Sequence, residues 1–248
     1  MVAITGLMPV LPKMRRLLFP MPNGKCQPPT DAPSTPDVCP SPLPHLTALH
    51  IAWTIANEPE LREQLDTVYC TDQGTNLVRD QAGYSEVSNQ LGSQLTYLRQ
   101  ANLGGSGGFS RGMFETVKAG KSDYTLLLDD DAISEPESIL RAVHFADYTV
   151  RSALVGGGMF HIDHRTVLHV QGERFDASSM WMYPSRGAEF NHDFRSEPLA
   201  DSPSLHSMQF SDFNGWWFCL IPTETIRTIG LGLPVFIKFD DIEYGLRA

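Results

Sequence analysis

The stretch Tyr124-Thr125-Leu126-Leu127-Leu128-Asp129-Asp130-Asp131 passes from an unbroken apolar run straight into three carboxylates. A short apolar run without alternation is the pattern of a strand buried on both faces, as in a parallel sheet covered by helices. Just downstream, Ser134 and Glu137 have the spacing of a capping box, with Pro136 tolerated in the first turn, which predicts a helix to about Asp147. Its inward positions are Ile139, Leu140, Val143 and Ala146. A further strand begins at Leu154-Val155 and runs into Gly156-Gly157-Gly158.

Working upstream, the same rhythm continues. Leu95 to Leu98 reads as a strand, a glycine-rich turn follows, and Phe109 to Ala119 reads as a helix. Before them, Thr67 to Thr71 is a buried strand, and Leu46, Leu49, Trp53 and Ala56 repeat at helical spacing. Alternating strands and helices imply an α/β fold of the Rossmann-like kind, a mostly parallel twisted sheet flanked by helices. In such sheets the chemistry gathers at the carboxyl ends of the strands. Residues 1–44 differ in character: QPPTDAPSTPDVCPSPLP at 27–44 reads as a disordered or extended lead-in, so the folded core is expected over 45–248.

Bulk properties narrow the function. A net charge of −10 argues against a nucleic-acid partner, which calls for a basic face. The four cysteines, Cys26, Cys39, Cys70 and Cys219, form no CxxC pair, so neither a zinc knuckle nor a disulfide scaffold is indicated and a reducing cytoplasm fits. Pro9, Pro12, Pro20 and Pro22 interrupt any apolar core of a secretion signal, and no apolar run approaches the ~18 residues of a membrane span.

Candidate chemistry sits at the strand tips. If the extended geometry continued through the triplet, Asp129 and Asp131 would point to one side and Asp130 to the other. Two carboxylates on one side suit Mn²⁺ or Mg²⁺, which take oxygen ligands and keep positions open for phosphate oxygens. The alternative is a solvated acidic turn leading into the next helix. Asn102-Leu103-Gly104-Gly105-Ser106-Gly107-Gly108 would let backbone approach a ligand in front of a helix amino terminus, or serve only as a tight turn. Asp72-Gln73-Gly74-Thr75 occupies the equivalent place after its strand and could bond a base or sugar edge, or be ordinary turn chemistry. Trp216 and Trp217 in Asn214-Gly215-Trp216-Trp217 could stack on a sugar ring or pack in the core. Asp240 and Asp241 close the run Phe236-Ile237-Lys238-Phe239, where one of them could take a proton from an attacking hydroxyl or simply favour a helix start.

With NLGGSGGF, LLLDDDA, HVQGE (His169 to Glu173), Trp181, NGWW and FIKFDD in that order, the chain resembles the actinobacterial cell-wall galactofuranosyltransferases, most of all the type that polymerises galactan. The resemblance runs from about Asp66 to Ala248. It implies a GT-A glycosyltransferase of family 2, with Mn²⁺ or Mg²⁺, inverting transfer from UDP-galactofuranose, and a polyprenyl-linked galactan acceptor. It also implies a cytoplasmic protein, compatible with peripheral attachment to the inner face of the plasma membrane and with a homo-oligomer. By motif, Asp129 and Asp131 correspond to metal ligands, and Asp130, Gln73, Asn102, Gly104 and Gly105 to the donor pocket. Asp241 corresponds to the catalytic base, with Asp240, Trp181, Trp216, Trp217, His169 and Glu173 on the acceptor side. The family's apolar first strand with its Thr/Arg tip is not found in the sequence, and the family's metal-binding histidine lies beyond the FDD motif. The reading therefore expects a core incomplete at both ends, and its alternative is a non-catalytic nucleotide-sugar or glycan-binding module.

Overall fold

The computed structural model describes residues 2–5 and 44–248. Its main sheet uses six strands: β1 (Val2–Thr5), β2 (Thr67–Asp72), β3 (Leu95–Arg99), β4 (Tyr124–Leu128), β5 (Val155–Gly156) and, far downstream, Cys219–Pro222, which is β11. They lie in the order β3-β2-β1-β4-β11-β5. β2 and β3 pair in parallel; β1 is antiparallel to both β2 and β4, and β11 to both β4 and β5. Four strands, β2 to β5, thus run one way, with β1 and β11 reversed among them. This is an α/β sheet of the GT-A type, and β2, β3, β4 and β5 all end at one rim. Because β11 is reversed, its amino end reaches that same rim, with Cys219 opposite Leu127.

β2 and β4 form because β-branched and apolar residues fill nearly every position and both faces are covered. On one face lie α1 (Pro44–Asn57), α2 (Pro59–Gln64), α3 (Tyr84–Leu91) and α5 (Pro136–Tyr148), packing Ile55, Leu61, Val87, Ile139 and Val143 against Val68, Leu126 and Leu128. On the other, α4 (Gly104–Ala119), α6 (Thr223–Ile229) and α7 (Asp240–Arg247) pack Phe109, Met113, Ile226 and Tyr244 against Leu127, Cys219, Ile221 and Trp216. A second, smaller layer holds β6 (Met159–Phe160), β7 (Val167–Val170) and β10 (His192–Asp193) in one sheet, and β8 (Glu173–Asp176) with β9 (Trp181–Pro184) in another.

Several local expectations change. Val2–Thr5, at the start of the proline-rich stretch, is a strand inside the sheet, and the QPPTDAPSTPDVCPSPLP segment lies outside the described residues apart from Pro44, where α1 begins. Since β1 runs backwards, it brings its amino end to the functional rim. The capping box does not form: α5 starts one residue later, with Glu135 as its N-cap and no side-chain cap bond, because Pro136 takes the first helical position. The glycine-rich stretch is no loop. Gly104 to Gly108 are the first turns of α4, although each glycine costs about 1 kcal/mol relative to alanine. Borrowed acceptors offset this: the first amides of the segment donate to Gln73 Oε1, Asn102 Oδ1 and the Phe236 carbonyl. Cys70 and Cys219 are free and buried; Cys26 and Cys39 fall outside the described residues. Among the described residues no helix is long and apolar enough to cross a membrane.

Candidate active site

The rim has two halves of opposite character. On the β2–β3 half every polar tip is engaged with its neighbours. Asp72 is buried, and its carboxylate accepts from Gly74 N (2.9 Å), Val78 N (2.8 Å) and the Tyr97 hydroxyl (2.6 Å). Burial pushes its pKa up, but those three donors prevail and hold it below the ordinary carboxylate value. Gln73 donates to the Gly104 carbonyl (2.9 Å) and accepts from Leu103 N (2.9 Å) and Gln100 Nε2 (3.0 Å). Asn102 Oδ1 takes the Gly104 amide at 2.9 Å, and Arg99 donates to the Asp72 and Gly74 carbonyls. Gln73 and Asn102, expected at the donor pocket, therefore use these groups to tie the β2 and β3 tips to the start of α4.

On the β4–β11 half the acids crowd one another. The chain leaves extended geometry at Leu128, and Asp130 and Asp131 lie in a turn closed by Ala132 N to the Asp129 carbonyl (3.3 Å), so strict alternation of the triplet does not hold. Asp129 and Asp131 nonetheless sit close. Burial first, then the charge of Asp131, then that of Asp130, raise Asp129 to a pKa of about 6. The Asp130 amide, which donates to Asp129 Oδ1 at 3.1 Å, offsets this only in part, and the oxygens of a half-buried carboxylate facing two others are the donor type a hard divalent cation takes. Asp129 and Asp131 fit such an ion.

Asp240 and Asp241 begin α7. Burial raises both, Asp241 to about 6 even though its carboxylate accepts from Ile242 N at 2.8 Å. The helix is held over the rim by Tyr244, whose ring meets Trp216, and by Gly245, where a Cβ would fall 2.5 Å from that of Phe213. Burial and then the Asp241 charge push the Cys219 thiol far up; Cys219 pairs with Leu127, two residues before Asp129. Both acidic groups thus belong to the same end of adjacent strands. Glu173, only 7% exposed, is raised to about 7, by burial first and then by Asp241. Its backbone bridges Phe213, and its carbonyl accepts from Asp212 N.

The aromatic expectations divide. Trp181 is 60% exposed on β9, open to a ligand, whereas Trp216 is 4% exposed and packs edge-on against Phe109. Trp217 is half-buried against the core, with its indole N–H on the Gly157 carbonyl at 2.9 Å. The sequence pattern of adjacent tryptophans does not distinguish these environments. His169 is half-buried, stacked on Phe190, with Nδ1 3.4 Å from Asn191 Oδ1. Gly105 sits in the first turn of α4. Among the described residues, Glu189, His192 and Glu197 also bring metal-capable atoms within 4.8 Å of one another. There both ring nitrogens of the buried His192 are taken, by Glu189 Oε1 (2.8 Å) and the Glu197 carbonyl (2.9 Å), which makes the group a hydrogen-bonded clasp of the small layer.

Sequence reasoning did not anticipate the proximity of Glu173 to Asp241, nor the unusual backbone leading into α7. Phe236, Lys238 and Phe239 all have positive φ, at 71°, 65° and 63°. No side-chain pattern in FIKF marks this.

A GT-A sheet whose rim carries an acidic triplet, with a second acidic pair at the head of α7, has the layout of a glycosyltransferase domain. Residues 52–248 match the family model described as "Glycosyltransferase like family 2", and the chain belongs to that family. It is similar to "Galactofuranosyltransferase GlfT2" of Mycolicibacterium smegmatis, 40% identical over 199 residues, covering 78% of this chain and 31% of that protein. The protein of the same name from Mycobacterium tuberculosis is 40% identical over 195 residues, covering 77% and 31%. The chain therefore spans about a third of the length of these relatives.

Proposed function

We propose that this chain carries the catalytic core for inverting transfer of galactofuranose from UDP-galactofuranose to a growing, lipid-linked galactan. The observation that carries the reading is Asp241: a half-buried carboxylate raised to about 6, at the head of a helix beside the strand end that bears Asp129. A base that titrates near neutrality is matched to taking a hydroxyl proton. In the reaction, Asp241 accepts the proton of an acceptor hydroxyl as its oxygen bonds to the anomeric carbon. The bond from that carbon to the diphosphate oxygen breaks, and UDP departs. A single displacement inverts the anomeric centre.

Asp129 and Asp131 would hold Mn²⁺ or Mg²⁺, which neutralises charge on the leaving diphosphate when bound. Asp130, Gly104 and Gly105 line the donor side in this reading, while Gln73 and Asn102 keep that side in shape. Asp240, Glu173, His169 and the exposed Trp181 face the acceptor. Trp216 and Trp217 support that face from the core. The similarity to proteins named galactofuranosyltransferases supports the choice of sugar.

The test is a transfer assay on the full chain with UDP-galactofuranose, Mn²⁺ and a galactan oligosaccharide, paired with calorimetry of UDP with and without the ion. Transfer that disappears in Asp241→Ala while UDP binding persists supports the assignment. Metal-dependent UDP binding with no transfer by the unaltered chain would instead make it a binding module.

A further inference from the structure

The chain leading into Asp240 and Asp241 is held at both ends and unusual in the middle. At its start, Arg247 of α7 donates to the Ile229 and Leu231 carbonyls, and Glu243 accepts from Leu233 N. Further along, the Phe236 carbonyl accepts from Ser106 N at 3.3 Å, in the first turn of α4. The fit there is tight. Gly104 has φ of 71°, and a Cβ on it would lie 1.9 Å from the Phe236 oxygen. The Gly104 carbonyl in turn accepts from Gln73 at the β2 tip. One peptide group of this strap therefore abuts the knot that fixes the β2–β3 half of the rim.

Phe236, Lys238 and Phe239 are left-handed, and Phe239 is the N-cap residue of α7. Bulky L residues adopt that conformation only where surrounding contacts over-determine it. Side-chain burial is not the cause, since Phe236 is 50% exposed and Lys238 is exposed. What remains is backbone placement.

We propose that Phe236 is a positioning residue: its carbonyl, docked on Ser106 at the start of α4, sets where Asp240 and Asp241 stand relative to the donor side of the rim. The proposal rests on the reading of Asp241 as the base.

Two substitutions at Phe236 separate backbone from side chain. Valine resists the left-handed region, whereas glycine enters it freely while removing more of the side chain. A packing role ranks Phe236→Gly below Phe236→Val; the docking role ranks them the other way. Three readouts are taken on the full chain: hydrogen exchange of the Ser106 amide, ¹³C-detected titration of the Asp241 carboxyl, and transfer kinetics beside the Kd for UDP. Phe236→Val should speed Ser106 exchange and lower kcat by about tenfold each, the equivalent of the left-handed penalty, while leaving the Kd for UDP within about twofold. It should also move the Asp241 midpoint. Phe236→Gly should lie nearer the unaltered chain on all three.

Glycine worse than valine overturns the proposal, as does faster Ser106 exchange with kcat and the Asp241 midpoint unmoved. Should the unaltered chain transfer no sugar, the enzyme reading fails, yet a valine-specific shift of the Asp241 midpoint still upholds the docking role and its absence sinks it. Were Phe236→Val to lose its thermal transition, Lys238→Val against Lys238→Gly repeats the comparison at an exposed side chain.

Discussion

Asp72 and Glu173 are both buried carboxylates at the functional end of the molecule, 4% and 7% exposed, and they titrate in opposite directions. Asp72 is surrounded by donors. Glu173 has Asp241 as its charged neighbour and is raised to about 7. The difference teaches that burial alone does not mark a reactive acid. An acid that gathers its own hydrogen bonds is building the fold, while one held near a second acid without donors keeps its proton available. Asp72, on the β2–β3 half of the rim, is of the first kind, and Glu173, beside Asp241, is of the second.

That division can be broken by substitution. The largest effect should come from Asp241→Asn, which keeps shape and removes basicity: transfer should fall by about 10²–10⁴-fold while the thermal midpoint holds or rises. A thermal midpoint that falls with the activity would move Asp241 to the architectural side. Next, Asp129→Asn combined with Asp131→Asn should weaken the Mn²⁺-dependent part of UDP binding by at least about 10–100-fold, the scale on which even outer-shell metal contacts matter, measured by calorimetry at fixed ion concentration. Binding that stays metal-dependent would place the ion elsewhere.

The opposite signature belongs to Asp72→Ala. It strands the Tyr97 hydroxyl and the Gly74 and Val78 amides, so the folded state should lose roughly 1–3 kcal/mol, read as a lower midpoint in urea. Turnover per folded molecule should stay comparatively intact, because the loss is to scaffold. The last effect is read against pH. Glu173 has a folded pKa above the ordinary 4.5, so its contribution to stability is fully present below about that value and is lost as pH rises through about 7. Glu173→Gln should therefore narrow the gap in unfolding midpoint between pH 5 and pH 8. An unchanged gap would mean that the Glu173 carboxyl is not held neutral by its surroundings.

How much of this was legible beforehand follows the range of the interactions concerned. Val68 to Thr71, Leu126 to Leu128 and the Ile139, Leu140, Val143 stripe carry short-range patterns, and the strands and helix they predict are present. The start of α4 was not legible, because Gly104 to Gly108 argue locally for a loop and only distant partners, Gln73 and Phe236, make a helix there. The place of β1 was hidden for the same reason: four residues ahead of a proline-rich stretch gain their role from pairing with β2 and β4. At the site, the acidic groups could be named from the sequence, but Glu173 beside Asp241 depends on how β8 meets α7. The burial of Trp216 against Phe109 and Tyr244 depends likewise on two helices distant in sequence.

The position of β11 between β4 and β5 has a consequence for how the chain is made. One side of β4 pairs with β1, which is made before it, but the other waits for Cys219–Pro222 and hence for all of residues 129–218. At about 5–20 residues per second that is roughly 5 to 20 s on the ribosome, during which Tyr124–Leu128 presents an apolar strand edge with its amides and carbonyls unclaimed. Such an edge is a template for pairing with another nascent chain. Yield in cells should therefore depend on chaperone supply and on synthesis rate across 129–218 more steeply than the stability of the finished fold suggests.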